Sequence, residues 1–283
     1  MESHTFRHKY ILDETPFRLF FASDIHGDEA GFNREQFSRE FERAKADGAR
    51  ININGDVFGA ILPQDIKRYS RGSDENGRND AIINILVEKI EKLFIPYVDN
   101  IDMIGCGNHE TAVLKYHATD MTKLLIGFLN RRRNQNLRPI VHGGYQGFIR
   151  YVFEHEGGGR VQTYTLFYNH GQGVGAEVTD GIIDAKRRQY VRSDCIWLGH
   201  KHRRWAHEIE PEIGVDRNGS LYEKKRFAIM TGSYLINAGK TDASKNGYRI
   251  NYAEERMRTP QGTGGIRANL IHTRDGLLSE YIV

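Results

Sequence analysis

Five short stretches carry residue types that could do chemistry: Asp24-x-His26, Gly55-Asp56, Gly107-Asn108-His109-Glu110, Asn169-His170-Gly171 and Gly199-His200-x-His202. Each alone is ordinary. Asp-x-His and Gly-Asp are common turn pairs, an Asn ahead of a helix is usually a cap, and a single His after a strand is usually structural. Jointly they offer carboxylate, amide and imidazole donors and need no thiolate. That set suits manganese, iron, zinc or magnesium better than copper(I) or an iron–sulfur cluster. Several such loops meeting at one sheet edge can hold two ions about 3.5–4 Å apart, with a carboxylate shared between them. Twelve histidines and 30 glycines in 283 residues fit ligands carried on tight loops.

Strands are expected to deliver these loops. The apolar run Phe17–Ala22 leads into Asp24-x-His26, and a short strand over 50–53 leads into Gly55-Asp56. A strand over 101–104 precedes Gly107-Asn108-His109-Glu110, and Cys195–Leu198 precedes Gly199-His200. Between them, Phe37, Phe41 and Ala44 predict a helix over 33–47 closed by Gly48, and Ile82, Ile85, Leu86, Ile90 and Leu93 predict one over 81–98. Alternation of strand, loop with carboxylate, and helix argues for an α/β chain with a parallel sheet and functional groups at the carboxyl ends of its strands. Further helices are expected over 119–130 and 179–190. Segments 148–153 and 161–168 around Gly157-Gly-Gly159 predict a hairpin, and strands are expected over 204–210, 221–230, 268–272 and 277–283. The polar stretch 63–80 reads as a long loop insertion, and 237–283 as a loop-rich C-terminal part. No repeat or linker interrupts the chain, so residues 1–283 read as a single domain.

Composition narrows the class. At 39% hydrophobic and 27% charged residues the chain is neither disordered, collagenous nor a coiled coil. A net charge of +3 is too small to argue for nucleic acid by itself. Cys106 and Cys195 cannot build a disulfide framework, which points to a reducing compartment. No apolar run approaches the about 18 residues of a membrane span, and the polar start of the chain lacks the apolar core of a signal peptide. The expectation is a cytoplasmic protein without a membrane partner.

In order and spacing, the motifs from Asp24 to His202 resemble those of the calcineurin-like metallophosphoesterases. The resemblance implies a four-layer α/β/β/α sandwich of two mixed β-sheets flanked by helices, with a dinuclear metal centre on one edge. It implies that Asp24, His26 and His202 bind one metal, that Asn108, His170 and His200 bind the other, and that Asp56 bridges both, with a bridging water or hydroxide. Manganese is the expected metal, with iron, zinc or magnesium as alternatives. His109, not a ligand in this pattern, would face the phosphate, stabilise the transition state and protonate the leaving oxygen. Two cations lower the pKa of water and clamp phosphoryl oxygens, which is what ester hydrolysis at neutral pH requires. Two departures stand out. Gly59 occupies a place where several branches carry an Asp or His that assists the catalytic histidine. Ile61 and Leu62 replace an arginine of the protein-phosphatase branch, while Gly55-Asp-Val-Phe58 is similar to the repair-nuclease branch.

The expected function is therefore a dinuclear metal-dependent phosphodiesterase acting on a nucleic acid or nucleotide. A phosphomonoesterase acting on a nucleotide or phosphoprotein is the alternative, and a catalytically silent scaffold of the same fold is a third reading. The diester preference rests on cations around the motif loops: Lys67, Arg68, Arg71, Lys201, Arg203 and Arg204. Asn108, His109, Lys201 and Arg203 are the expected substrate contacts. Glu110 reads either as an orienting partner for an imidazole or as an exposed acid at a helix start. Cys106 reads as a small buried thiol, Arg131-Arg-Arg133 as a solvated positive helix end, and Trp197 as core. Tyr234, Tyr248 and Tyr252 either stack a base or pack. His142, His155 and His207 have no motif context.

Overall fold

The computed structural model describes residues 1–12, 15–60, 82–173, 179–216, 218–236, 262–274 and 276–283. The expected loop at 63–80 with Lys67, Arg68 and Arg71 lies outside the described residues, as do Tyr248 and Tyr252 in the C-terminal part.

The first sheet is built on β2 (Phe17–Ala22), β3 (Arg50–Ile53), β4 (Ile101–Ile104) and β5 (Val141–His142), which run parallel. Two antiparallel strands, β11 (Ile266–His272) and β12 (Leu277–Ile282), extend it in the order β12-β11-β2-β3-β4-β5. The second sheet contains β1 (Glu2–Tyr10), β6 (Gln146–His155), β7 (Val161–Asn169), β8 (Cys195–Leu198), β9 (Trp205–Val215) and β10 (Leu221–Met230). Its order is β1-β6-β7-β8-β10-β9; β7, β8 and β10 are parallel, whereas β6–β7 and β9–β10 are antiparallel. Both sheets are mixed.

The period of two along each strand sorts side chains to opposite faces. In β2, Leu19 and Phe21 join Met103, Tyr151, Tyr168, Trp197 and Leu270 between the sheets. Phe20 and Ala22 point the other way, to the helices, with Ile51, Ile53, Ile101 and Ile104. Helices α1 (Arg34–Ala46), α2 (Ile82–Phe94) and α4 (Met121–Arg132) answer with Phe37, Phe41, Ile90, Phe94, Leu125 and Leu129. Strands buried on both faces read as continuous apolar runs, which is why β2 and β8 are plain in the sequence. On the outer face of the second sheet, Ala185 of α5 (Ile182–Lys186) and Val191 cover Phe167, Ile196, Leu198 and Met230. The layers are thus α/β/β/α, as expected. Among the described residues no helix is long and apolar enough to cross a membrane.

Four expectations are corrected. Residues 1–10, read only as a polar start, form β1, an edge strand that pairs parallel with β6 and buries Phe6 and Tyr10. The helix expected over 179–190 shrinks to α5, because Gly181 at its start takes φ 84° and turns follow Lys186. The strand expected over 204–210 runs on to Val215 as the edge strand β9. The basic run is not a solvated end throughout. Arg131 lies over the Phe128 ring and Arg132 meets Glu91, but Arg133 is buried and donates to the carbonyls of Val98 and Ile101.

Removing the Arg133 donors strands two carbonyls in the core. Arg133→Met is expected to cost about 1–3 kcal/mol, whereas Arg132→Ala stays within about 0.5 kcal/mol. Urea unfolding of the two variants checks this, and equal losses would contradict the assignment.

Candidate metal centre

The carboxyl ends of β2, β3 and β4 in one sheet, and of β7 and β8 in the other, open onto the same edge of the sandwich. Between the sheets, Tyr234 N donates to Asp24 O at 3.0 Å and Asn54 Nδ2 to Asn169 O at 3.1 Å, and within each sheet further backbone bonds join neighbouring loops. Asp24 N donates to Gly55 O at 3.0 Å, His26 N to Asp56 O at 3.1 Å, Gly105 N to Ile53 O at 2.7 Å, and Gly199 N to His170 O at 3.1 Å. Five of the expected ligands sit in the left-handed region: Asp24 (φ 52°), His26 (48°), Asp56 (48°), His200 (69°) and His202 (53°). Each such non-glycine residue costs on the order of 1–3 kcal/mol and persists only where the surroundings fix it. Two glycines set how closely the loops approach. A Cβ on Gly107 would overlap Asp56 Oδ1, and one on Gly55 (φ 77°) would meet Gly107 N at 2.5 Å.

Two triads result. Ligand atoms of Asp24, His26 and His202 lie within 4.8 Å of one another, and so do those of Asp56, His170 and His200. The triads touch: His170 Nε2 is 3.1 Å from Asp56 Oδ2 and 4.0 Å from Asp24 Oδ1, which is itself 3.3 Å from His202 Nε2. Asn108 opens helix α3 (Asn108–His117) directly after Gly107. Among the described residues of the site, His26 Nε2 and Asn108 Oδ1 are buried with no hydrogen-bond partner, and His170 Nε2 meets only the carboxylates of Asp56 and Asp24. Buried polar atoms are nearly always paired, so donor atoms left bare in this way fit metal ligands, and the donor set is that of hard-to-borderline divalent ions.

Electrostatics point the same way. Burial pushes the Asp24 carboxyl up, yet His202 and His170 hold it down at about 2. Asp56 is likewise held well below the carboxylate range against its burial, by His170 and His109. Burial opposes charge on His26 and His170, but Glu29 on one and Asp56 on the other raise both to about 10. Imidazolium groups balance the anionic pair, and bound divalent ions would take the place of those protons.

Around the triads, a supporting set fixes each group. Ser23 Oγ bonds Asp24 Oδ2 and lies 2.6 Å from Thr231 Oγ1, which accepts from Trp197 Nε1 at 3.0 Å. His170 Nδ1 is 2.7 Å from the Asn54 carbonyl, leaving Nε2 for the centre. His26 Nδ1 lies 3.0 Å from Glu29 Oε1, the carboxylate–histidine pairing that fixes a ligand's tautomer. Glu110 is neither an exposed acid nor an imidazole partner. It is buried, and its carboxylate accepts from the backbone N–H groups of Asp56 (3.1 Å), Phe58 (3.0 Å) and Gly107 (2.7 Å), clamping two motif loops together.

His109 takes its place beside the triads: its N–H donates to Asp56 Oδ1 at 3.0 Å and its Nε2 is 3.9 Å from Asp56 Oδ2. Its Nδ1 is hydrogen-bonded to the carbonyl of Gly59. The histidine therefore finds its partner at the departing position after all, in the backbone instead of a side chain. A Cβ on Gly59 would run into the Glu29 carboxylate, so Glu29 can sit where it does only against a glycine. Glu29 and the Gly59 carbonyl escape sequence reading, because nothing in residue type marks a backbone acceptor or an acid three places after a ligand.

The expected substrate contacts divide. Asn108 and His109 face the centre, whereas Lys201 pairs with Asp184, Arg203 Nε lies 3.0 Å from Asp180 Oδ1, and Arg204 Nε donates to Gly265 O at 3.0 Å. Tyr234 packs fully buried against Phe37 and donates to Glu40 Oε2 at 2.8 Å, so it does not stack a base. Cys106 is a buried thiol pushed up to about 12 by burial, unlike a reactive thiolate.

No protein-family model and no curated protein sequence matches the chain. Solved structures similar to it include GAP50, the anchor in the inner membrane complex of Plasmodium (12% identity, TM-score 0.44, covering 95% of this chain and 85% of that one). Others are a metallophosphoesterase from Sphaerobacter thermophilus (13%, TM-score 0.36, 94% and 89%) and Vps29 complexed with zinc from Entamoeba histolytica (8%, TM-score 0.30, 94% and 98%). Such distant likenesses say nothing of activity. The layered fold and the order of the ligand residues resemble the calcineurin-like metallophosphoesterases.

The loop contact generates a paired prediction. Gly107→Ala forces Asp56 aside and is expected to cost about 1–3 kcal/mol, while Gly127→Ala, exposed in α4 with open space at its Cβ, gains about 1 kcal/mol. Denaturant midpoints report both, and a neutral Gly107→Ala would show that the loops are not pressed together.

Proposed function

We propose that the chain is a dinuclear metal-dependent phosphodiesterase that hydrolyses a nucleic-acid or nucleotide phosphodiester. The observation that carries the reading is the meeting of two ligand triads across Asp24 and Asp56, with His109 beside them. Asp24, His26 and His202 would hold one ion, Asn108, His170 and His200 the other, and Asp56 would serve both. Divalent ions, manganese in this reading, supply an acidified water and neutralise the phosphoryl oxygens when bound. The protein does the rest. Glu110 and the Gly55–Gly107 contact keep Asp56 in place. The Gly59 carbonyl fixes a proton at His109 Nδ1 and turns Nε2 toward the site. Burial holds this imidazole below its ordinary pKa, against the pull of Asp56. A proton carried at Nε2 beside a bound phosphate anion would therefore be readily given up to the leaving oxygen.

One observation favours the monoester alternative. Lys201, Arg203 and Arg204, which motivated a polymer, are engaged by Asp184, Asp180 and the Gly265 carbonyl. A nucleotide or phosphoprotein monoester needs fewer backbone phosphate contacts. The scaffold reading is disfavoured because His109 and every expected ligand are present.

Hydrolysis of bis(p-nitrophenyl) phosphate and p-nitrophenyl phosphate by chelator-stripped protein, with manganese restored, tests the reading. Manganese-dependent diester turnover is expected, reduced about 10²–10⁴-fold by His109→Ala and abolished by Asp56→Asn. Turnover of the monoester alone would put the alternative first. Turnover unaffected by either variant would refute the site.

A further inference from the structure

A second set of donors lies outside both triads. Cys106 belongs to the loop that carries Asn108 and His109, but its side chain meets β5 and the start of α4. Its Sγ is 3.3 Å from His142 Nε2, and His142 Nε2 is 3.7 Å from Asp120 Oδ1. The three ligand atoms lie within 4.8 Å of one another. Around a tetrahedral zinc ion, with bonds of about 2.3 Å to sulfur and about 2.0–2.2 Å to nitrogen and oxygen, neighbouring donors stand about 3.3–3.6 Å apart. The two shorter separations lie close to that range.

We propose that Cys106, Asp120 and His142 form a separate mononuclear site for a zinc-like divalent ion. Thiolate, carboxylate and imidazole together balance two positive charges, and the sulfur selects zinc or cobalt over manganese and magnesium. The donors come from three elements that the fold already holds together. Asp120 caps α4, accepting from Lys123 N at 2.9 Å. His142 is in register with Ile104 of β4, and its carbonyl is 3.2 Å from His4 Nε2. Cys106 N donates to Gly144 O at 2.7 Å, and Thr122 Oγ1 stands 3.4 Å from Sγ, where its hydroxyl can turn to support a thiolate. Cys106 is buried while His142 and Asp120 are about a quarter exposed, at 24% and 20% of their side chains. A water on that side would complete the tetrahedron. Binding at Nε2 replaces its contact with Cys106 Sγ and moves the imidazole proton to Nδ1, so the Gly144 amide, 3.3 Å away, loses its acceptor there. An ion here would pin the Asn108–His109 loop to β5 and α4.

Cobalt distinguishes this site from the triads, which contain no sulfur. The stripped full-length protein, saturated with cobalt(II), is expected to show a near-ultraviolet thiolate-to-cobalt charge-transfer band that zinc abolishes. Cys106→Ser and His142→Asn should lose the band but keep the visible cobalt transitions of the remaining ions. Asp120→Asn, which keeps the helix cap, should weaken cobalt binding at the band about tenfold or more. Cys195→Ser should leave the band unchanged. A wild-type protein without the band, or a band that survives Cys106→Ser, would overturn the proposal.

Discussion

Two aspartates, Asp24 and Asp56, are both buried within reach of a single imidazole, that of His170. Everything else at this edge follows from the need to neutralise them. A buried charge without compensation costs several kcal/mol even after relaxation, and here two of the same sign are brought together. The chain answers with histidines on every side. It then spends backbone strain to hold those histidines, placing His26, His200 and His202 in left-handed conformations. A purely structural core would have solved the problem more simply with apolar residues. Concentrated charge, strain and bare donor atoms in one place are the pattern of a candidate functional site.

The fold makes this arrangement attainable. Parallel neighbours in each sheet point their carboxyl ends the same way, so loops far apart in sequence open side by side. Stacking the sheets over a shared core of Leu19, Phe21, Tyr168 and Trp197 then brings the His170 and His200 loops over Asp24 and Asp56. Trp197 links the two levels directly, since its ring fills that core and its N–H begins the hydrogen-bonded chain through Thr231 and Ser23 to Asp24.

Much of this was legible in the sequence. The central strands were, because burial on both faces leaves an unbroken apolar run, and so were the ligand loops that end them. Edge strands were not: β1 needs only Phe6 and Tyr10 to dock, and β5 is two residues long. The 179–190 helix was overread because its periodicity ignores Gly181. At the site, the motifs named the residues that come together, but the supporting contacts depend on three-dimensional accidents of approach. Glu29 meets His26 across one turn, the Gly59 carbonyl reaches His109, and Glu110 gathers three amides from two loops. The cations around the motifs were visible, but not the Asp180 and Asp184 that engage Arg203 and Lys201.

The role proposed for the buried Asp24–Asp56 pair is to hold two metal ions. Calorimetric titration of the chelator-stripped protein with manganese(II) at neutral pH tests it most directly, since that ion avoids the sulfur of Cys106. Two ions bound per chain are expected, with proton release as His26 and His170 give up their protons, and loss of both in Asp56→Asn. A wild-type protein that takes up no manganese, or whose uptake is indifferent to Asp56, would contradict it.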